Sequence, residues 1–135
     1  MSIANIRNAL ERALDGMTPA LHTVHENEAY APVAGVPYQE AYVLRAPPDN
    51  PTLGDGYSQE RGLFFIKLKY ALQAGSGIAE ARAELVRALF HRGASFVASG
   101  TTVQIERTAE IATGMVDGDR WSVAVKVRWF ADVFP

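Results

Sequence analysis

Trp121-Ser122-Val123-Ala124-Val125-Lys126-Val127-Arg128-Trp129 alternates bulky apolar side chains with small or charged ones. Successive residues of an extended chain point to opposite faces. This spacing therefore predicts a strand with Trp121, Val123, Val125, Val127 and Trp129 on one side, and Ser122, Ala124, Lys126 and Arg128 on the other. The β-branched and aromatic residues suit a pleated, half-buried surface. Leu63 to Tyr70 follows the same rule: Phe64, Ile66, Leu68 and Tyr70 share one face, and Lys67 and Lys69 the other. Leu63 and Phe65 fall on the lysine side, so that face begins apolar and ends wet. Two half-buried strands of this kind predict a sheet that needs a cover on one face only.

The sequence also supplies that cover. Ile3, Ile6, Leu10, Ala13 and Leu14 recur at three- and four-residue spacings, which predicts an amphipathic helix starting near Ser2 and ending at Asp15-Gly16. Arg7, Glu11 and Arg12 take its wet side, and Arg7 and Glu11 stand four apart, the spacing of a helical ion pair. A second helix is predicted over Ile78 to Phe90. Its apolar stripe is Ile78, Ala81, Leu85, Ala88 and Leu89, widened by Val86 and Phe90, and Glu80, Arg82, Glu84 and Arg87 are its solvated charges. His91-Arg92-Gly93 closes it with cations and a glycine.

Shorter segments fill in the sheet. Leu21 to Asn27 suits a short strand, Glu28 to Pro37 a loop, and Tyr38 to Arg45 a strand in which either face is a candidate for burial. Ala94 to Ala98 suits a short strand before a Ser99-Gly100 turn. Val103 and Ile105 alternate with polar neighbours, and Asp117-Gly118-Asp119 is a turn. Ala109 to Gly114 has no clear period. The order helix, strands, helix, strands predicts one α+β domain over residues 1–135, with a mostly antiparallel sheet and two helices packed on one face. The expected core includes Phe64, Ile66, Leu68, Leu85, Leu89, Val123, Val125 and Val127.

Ala46 to Gly62 breaks this economy. It is a polar connection punctuated by three prolines and three glycines, longer than compact domains ordinarily use. It is expected to be mobile or extended in an isolated subunit and to become ordered in an assembly.

Composition narrows the chemistry. The chain has 135 residues, 48% of them apolar, and a formal net charge of −2, so no broad cationic field is available for nucleic acid. With no cysteine, disulfides, thiolate metal sites and cysteine nucleophiles are ruled out. The N-terminal segment lacks the continuous apolar run of a signal peptide, and no stretch approaches the roughly 20 apolar residues that cross a bilayer. His22 and His25 stand three apart on extended chain and so point to opposite faces, which suits edge histidines rather than metal ligands. None of Ser58, Ser76, Ser95, Ser99 or Ser122 lies in a nucleophile elbow. Gly75-Ser76-Gly77 lacks the strand and glycine-rich helix entry of a dinucleotide site. Asp117 and Asp119 suit a turn better than a catalytic pair, and the two tryptophans share the valine stripe, which suits a core better than a stacking platform. The expectation is no catalytic residue, no metal and no cofactor.

Several segments together are similar to a known family. They are Asn50-Pro51-Thr52-Leu53-Gly54-Asp55-Gly56-Tyr57, Glu60-Arg61-Gly62-Leu63-Phe64, Glu106-Arg107-Thr108, Gly114 to Trp121, and Val127-Arg128-Trp129-Phe130-Ala131-Asp132. The opening helix Ile3-Ala4-Asn5-Ile6-Arg7 and the start Ala79-Glu80-Ala81-Arg82 of the second helix are similar too. The whole resembles the small tail-terminator-like proteins of tailed bacteriophages and prophages, a family that includes domains of unknown function. The resemblance implies a non-enzymatic structural subunit that self-associates, commonly as a six-fold ring. Such a ring caps the tail tube and meets a tail-tube protein and a head-completion protein. It also implies assembly in the host bacterial cytoplasm and residence in the virion tail, with no nucleic-acid specificity and no membrane.

A ring needs a repeated contact between two different patches of one chain. The candidate contact groups are Asp55, Tyr57, Glu60 and Arg61 on the long connection, and Asp117, Asp119 and Arg120 on the late turn, where acids lie beside an arginine in each case. The alternative reading is a small-ligand-binding or enzymatic α+β domain, which a buried pocket lined by perturbed carboxylates would support.

Overall fold

The computed structural model describes residues 2–52, 56–73 and 75–134. Its elements in chain order are α1 (Ser2–Asp15), β1 (Thr23–His25), β2 (Tyr38–Arg45), β3 (Ser58–Ala71), α2 (Gly77–Leu89), β4 (Ser95–Ala98), β5 (Thr101–Ile105), β6 (Glu110–Ile111), β7 (Met115–Asp117) and β8 (Arg120–Val133). The main path of the sheet runs β1-β2-β3-β8-β5-β4, with β6 and β7 also pairing with β8. Every pairing is antiparallel except β1 with β2. This is the α+β architecture that the alternating strands and two helical stripes predict.

β3 and β8 form the spine, paired from Ser58↔Val133 to Ala71↔Arg120. The register puts Phe64 opposite Val127, Ile66 opposite Val125 and Leu68 opposite Val123, all buried. Val43 and Ala41 of β2 pair with Phe64 and Ile66 and are buried, so the register with β3 decides which face of β2 goes inward. Trp129 continues the stripe and is fully buried, while Trp121 lies partly buried at its other end.

α1 buries Ile6, Leu10 and Leu14, whereas Ile3 is exposed. α1 reaches both ends of the sheet's path. Asn5 donates to Thr101 in β5, and at the β1 end Arg7 pairs with Glu26 while Glu11 and Asp15 flank His25. The Arg7–Glu11 pair forms as well, at 3.4 Å.

α2 corrects the sequence reading. Its buried positions are Ala79, Arg82, Ala83 and Val86, with Phe90 at its C-cap. The expected core residue Leu85 is 45% exposed, Ile78 is exposed as well, and Leu89 is only partly buried. Both stripes satisfy a 3.6-residue period. The buried one has two alanines, Ala79 and Ala83, that let the helix approach β3 and β8, and Phe90 fixes it by meeting Phe64 edge-on at 5.5 Å and Phe96 at 5.2 Å. Arg82, expected in solvent, is buried and donates to the Pro19 carbonyl.

The long connection is corrected too. β3 starts at Ser58 rather than Leu63, because Ser58 to Gly62 continue the pairing with β8. Asp49 and Gln59 exchange two backbone hydrogen bonds, at 2.9 and 2.8 Å, and Ala46 donates to Arg61. The described part of this segment is thus tied to its own subunit, against the expectation of a free arm. The segment Ala109 to Gly114, without period in sequence, contains β6 laid along β8.

Candidate functional site

Three of the segments that carry the family resemblance converge in space. β2 pairs Leu44 with Leu63 of β3, β3 pairs Leu63 with Arg128 of β8, and the Glu106 amide donates to the Arg128 carbonyl. These contacts gather the end of β2, the middle of β3, residues 106–107 after β5, and β8 around one open groove. It encloses about 310 Å³. Arg45, Arg61, Arg107 and Arg128 line it, with Leu44 and Leu63 as apolar floor and Glu106 as the lining anion. The groove continues past Thr108 and Glu110 to Lys126. Leu63 and Arg128 sit on the sheet face opposite Phe64 and Val127, so the groove lies on the side away from α2.

The chemistry of this lining is electrostatic. A guanidinium stays protonated at any ordinary pH and offers donors in a planar fork, so it attracts carboxylates and phosphates but does not shuttle protons. Arg61 pairs with Glu106 at 3.6 Å, both about two-fifths exposed. An exposed pair of this kind contributes about 0–1 kcal/mol, which leaves Arg61 free to exchange partners.

The structure separates the other expected contact residues. Asp55 lies outside the described residues. Tyr57 is partly buried; its hydroxyl donates to Asp132 at 2.7 Å and its ring stacks on Phe134 at 5.0 Å. That hydrogen bond, with some burial, holds the phenol above the ordinary tyrosine range. Glu60 is partly buried in β3, and Asp119 is exposed in the late turn. Arg120 is buried within its own subunit. It donates to the Val33 carbonyl at 2.7 Å and to the Val36 carbonyl, and its guanidinium lies 5.1 Å from the centre of the Tyr38 ring. It works as an anchor for the loop before β2. Arg120→Ala is expected to cost about 1–3 kcal/mol by leaving two carbonyls without their donor. Amide exchange over residues 33–38 reads the effect directly: faster exchange there, with the spine unchanged, is the expected result.

Asp117 accepts from Lys69, whose ammonium is nearly fully buried, and Glu40 stands 4.0 Å away on the other side. The hydrogen bond from Lys69, reinforced by its charge and that of Lys67, holds the Asp117 carboxyl below the ordinary carboxylate range. A carboxyl depressed on folding stabilises above its unfolded pKa, and that stabilisation is lost as pH falls through the folded value. The stability gap between wild type and Asp117→Asn should therefore be full at neutral pH and close as pH drops below the ordinary aspartate value of about 3.9. Denaturant melts across that range test it, and a gap constant with pH would reject the Lys69 pairing.

A ligand-binding enzyme would call for a buried pocket with carboxylates pushed upward. Here the groove is open and arginine-lined, and the carboxyl that shifts among the described residues, Asp117, moves downward. Sequence parity had already put Leu63, Lys126 and Arg128 on one outer face. Arg45 ends β2 on the parity of Ala41 and Val43, and Arg107 sits in a connection; only tertiary contacts bring them alongside.

A family model described as phage tail terminator protein matches residues 5–129 of the chain. A solved structure with 26% sequence identity superposes with a TM-score of 0.80, over 100% of this chain and 99% of that one. No curated protein matches.

Proposed function

Because this chain belongs to the phage tail terminator family, we propose that it is a non-enzymatic subunit that closes into a ring, caps the tail tube and contributes to head-tail joining. The structural role in a phage tail comes with the family. The ring, its six-fold order and the partners are our reading. The family match over 5–129 carries it. The arginine groove supports it, since three of the resembling segments meet there in a surface suited to gripping an acidic protein face.

On this reading the subunit assembles in the host bacterial cytoplasm and ends in the virion tail. It contacts its own copies, the tail-tube protein and a head-completion protein, and needs no cofactor. Of the candidate contact groups, Arg61 is the one best placed to reach a neighbour. Tyr57 and Glu60 lie toward the Val133 end of the β3–β8 spine and Asp117 and Asp119 toward its Arg120 end, and Arg120 fixes the loop before β2.

Mixing the protein with its tail-tube subunit tests the proposal. Tubes grown in its presence should be short and carry a ring at one end, as seen by electron microscopy. Arg61→Ala should keep the wild-type melting temperature and reduce ring occupancy. Tubes of unchanged length with bare ends, at any protein concentration, would refute the terminator role.

A further inference from the structure

α2 carries two apolar stripes, and one of them meets the core. Ala79, Ala83, Val86 and Phe90 lie inside. Ile78, Ala81, Leu85 and Ala88 face outward, with Ile78 58% and Leu85 45% exposed. Beside them stand Glu80 and Glu84, both exposed. The helix's two cations are turned away, Arg82 to the Pro19 carbonyl and Arg87 to the Ala109 carbonyl. The outward face is thus apolar along one edge and acidic along the other. The groove on the opposite side of the sheet has the complementary make-up: Leu44, 48% exposed, beside Arg45, Arg107 and Arg128, all exposed.

We propose that the outward face of α2 of one copy seats in the arginine groove of the next copy, an inference that rests on the ring-forming reading above. The two patches differ and lie on opposite sides of the sheet, so the contact is heterologous. Each copy offers a helix face to one neighbour and a groove to the other, which is the arrangement a ring requires. Ile78 and Leu85 against Leu44 and Leu63 supply apolar burial. Glu80 and Glu84 against the guanidinium forks set the register and disfavour a helix-to-helix or groove-to-groove pairing, in which like charges would meet. The charged part of the contact weakens as salt rises.

The chain has no cysteine, so introduced cysteines report on this contact alone. In assembled protein, a Leu44→Cys, Leu85→Cys double variant should oxidise to a ladder of disulfide-linked multimers that ends at the ring size. Either single variant should stay monomeric under the same oxidation, because its cysteine meets no cysteine across this contact. Glu80→Arg with Glu84→Arg should weaken self-association about tenfold, as should Arg45→Glu with Arg128→Glu, and all four changes together should restore it. These four side chains are exposed, so the fold should survive, which an unchanged melting temperature verifies. Rings that form without the ladder, and that tolerate both charge reversals, would overturn this interface and leave the ring reading standing. A wild type that stays monomeric at every concentration and on tail tubes would overturn the ring reading and this interface with it.

Discussion

Ile66→Ala is expected to lower stability by about 2–5 kcal/mol, whereas Leu85→Ala is expected to stay within roughly 0.5 kcal/mol of wild type. Ile66 is fully buried, between Ala41 of β2 and Val125 of β8 in the sheet. Removing its outer carbons forfeits their transfer from water and leaves a cavity in the spine, where both neighbouring strands are held in register along their length. Leu85 is nearly half exposed, so its truncation creates no cavity. Paired denaturant melts with a common m-value decide the matter. Equal losses at the two positions would mean that α2 is rotated by about a third of a turn from the orientation described here.

Gly62→Ala is the second large effect. The glycine sits in β3 opposite Trp129 and Arg45. A Cβ there would stand 2.0 Å from the Leu44 carbonyl oxygen and 3.0 Å from the Trp129 ring. The first obstacle is backbone, so β2 and β3 must part at the groove for the methyl to fit. Overpacking of a well-packed site costs about 1–3 kcal/mol, and a backbone obstacle places this position at or above the upper end. Trimming the indole tests which neighbour matters. If the carbonyl dominates, Gly62→Ala with Trp129→Phe should remain as unstable as the sum of the two single variants. Recovery of stability in the double variant would show that the tryptophan was the obstacle. Because the displaced strands also hold Leu44, Arg61 and Leu63, the same variant should lose ring formation even under conditions where it is folded.

The strand spine was legible in the sequence because a period of two admits one solution once a face is apolar. Phe64, Ile66 and Leu68, with Val123, Val125 and Val127, occupy the face their spacing assigns. The ends of both helices were legible as well, since Asp15-Gly16 and His91-Arg92-Gly93 terminate a helix by local backbone chemistry. The family resemblance was also carried by the residues themselves. The orientation of α2 was not legible. Two apolar stripes fit the helical period equally, and the choice fell to Phe90 against Phe64 and to the small residues that admit close approach to the sheet. The start of β3 at Ser58 escaped for a related reason: polar residues pair by their backbones when a partner strand is already in place. Arg120 reads locally as a turn charge, yet the carbonyls it holds, Val33 and Val36, are more than eighty positions earlier. The groove is likewise a product of pairing, joining β2, β3, β8 and residues 106–107. Local sequence determines which residues seek burial and where a helix ends. Which of two equivalent faces is buried, and which distant charges end up side by side, depends on contacts between elements, and these exist only once the strands have paired and the helices have packed on them.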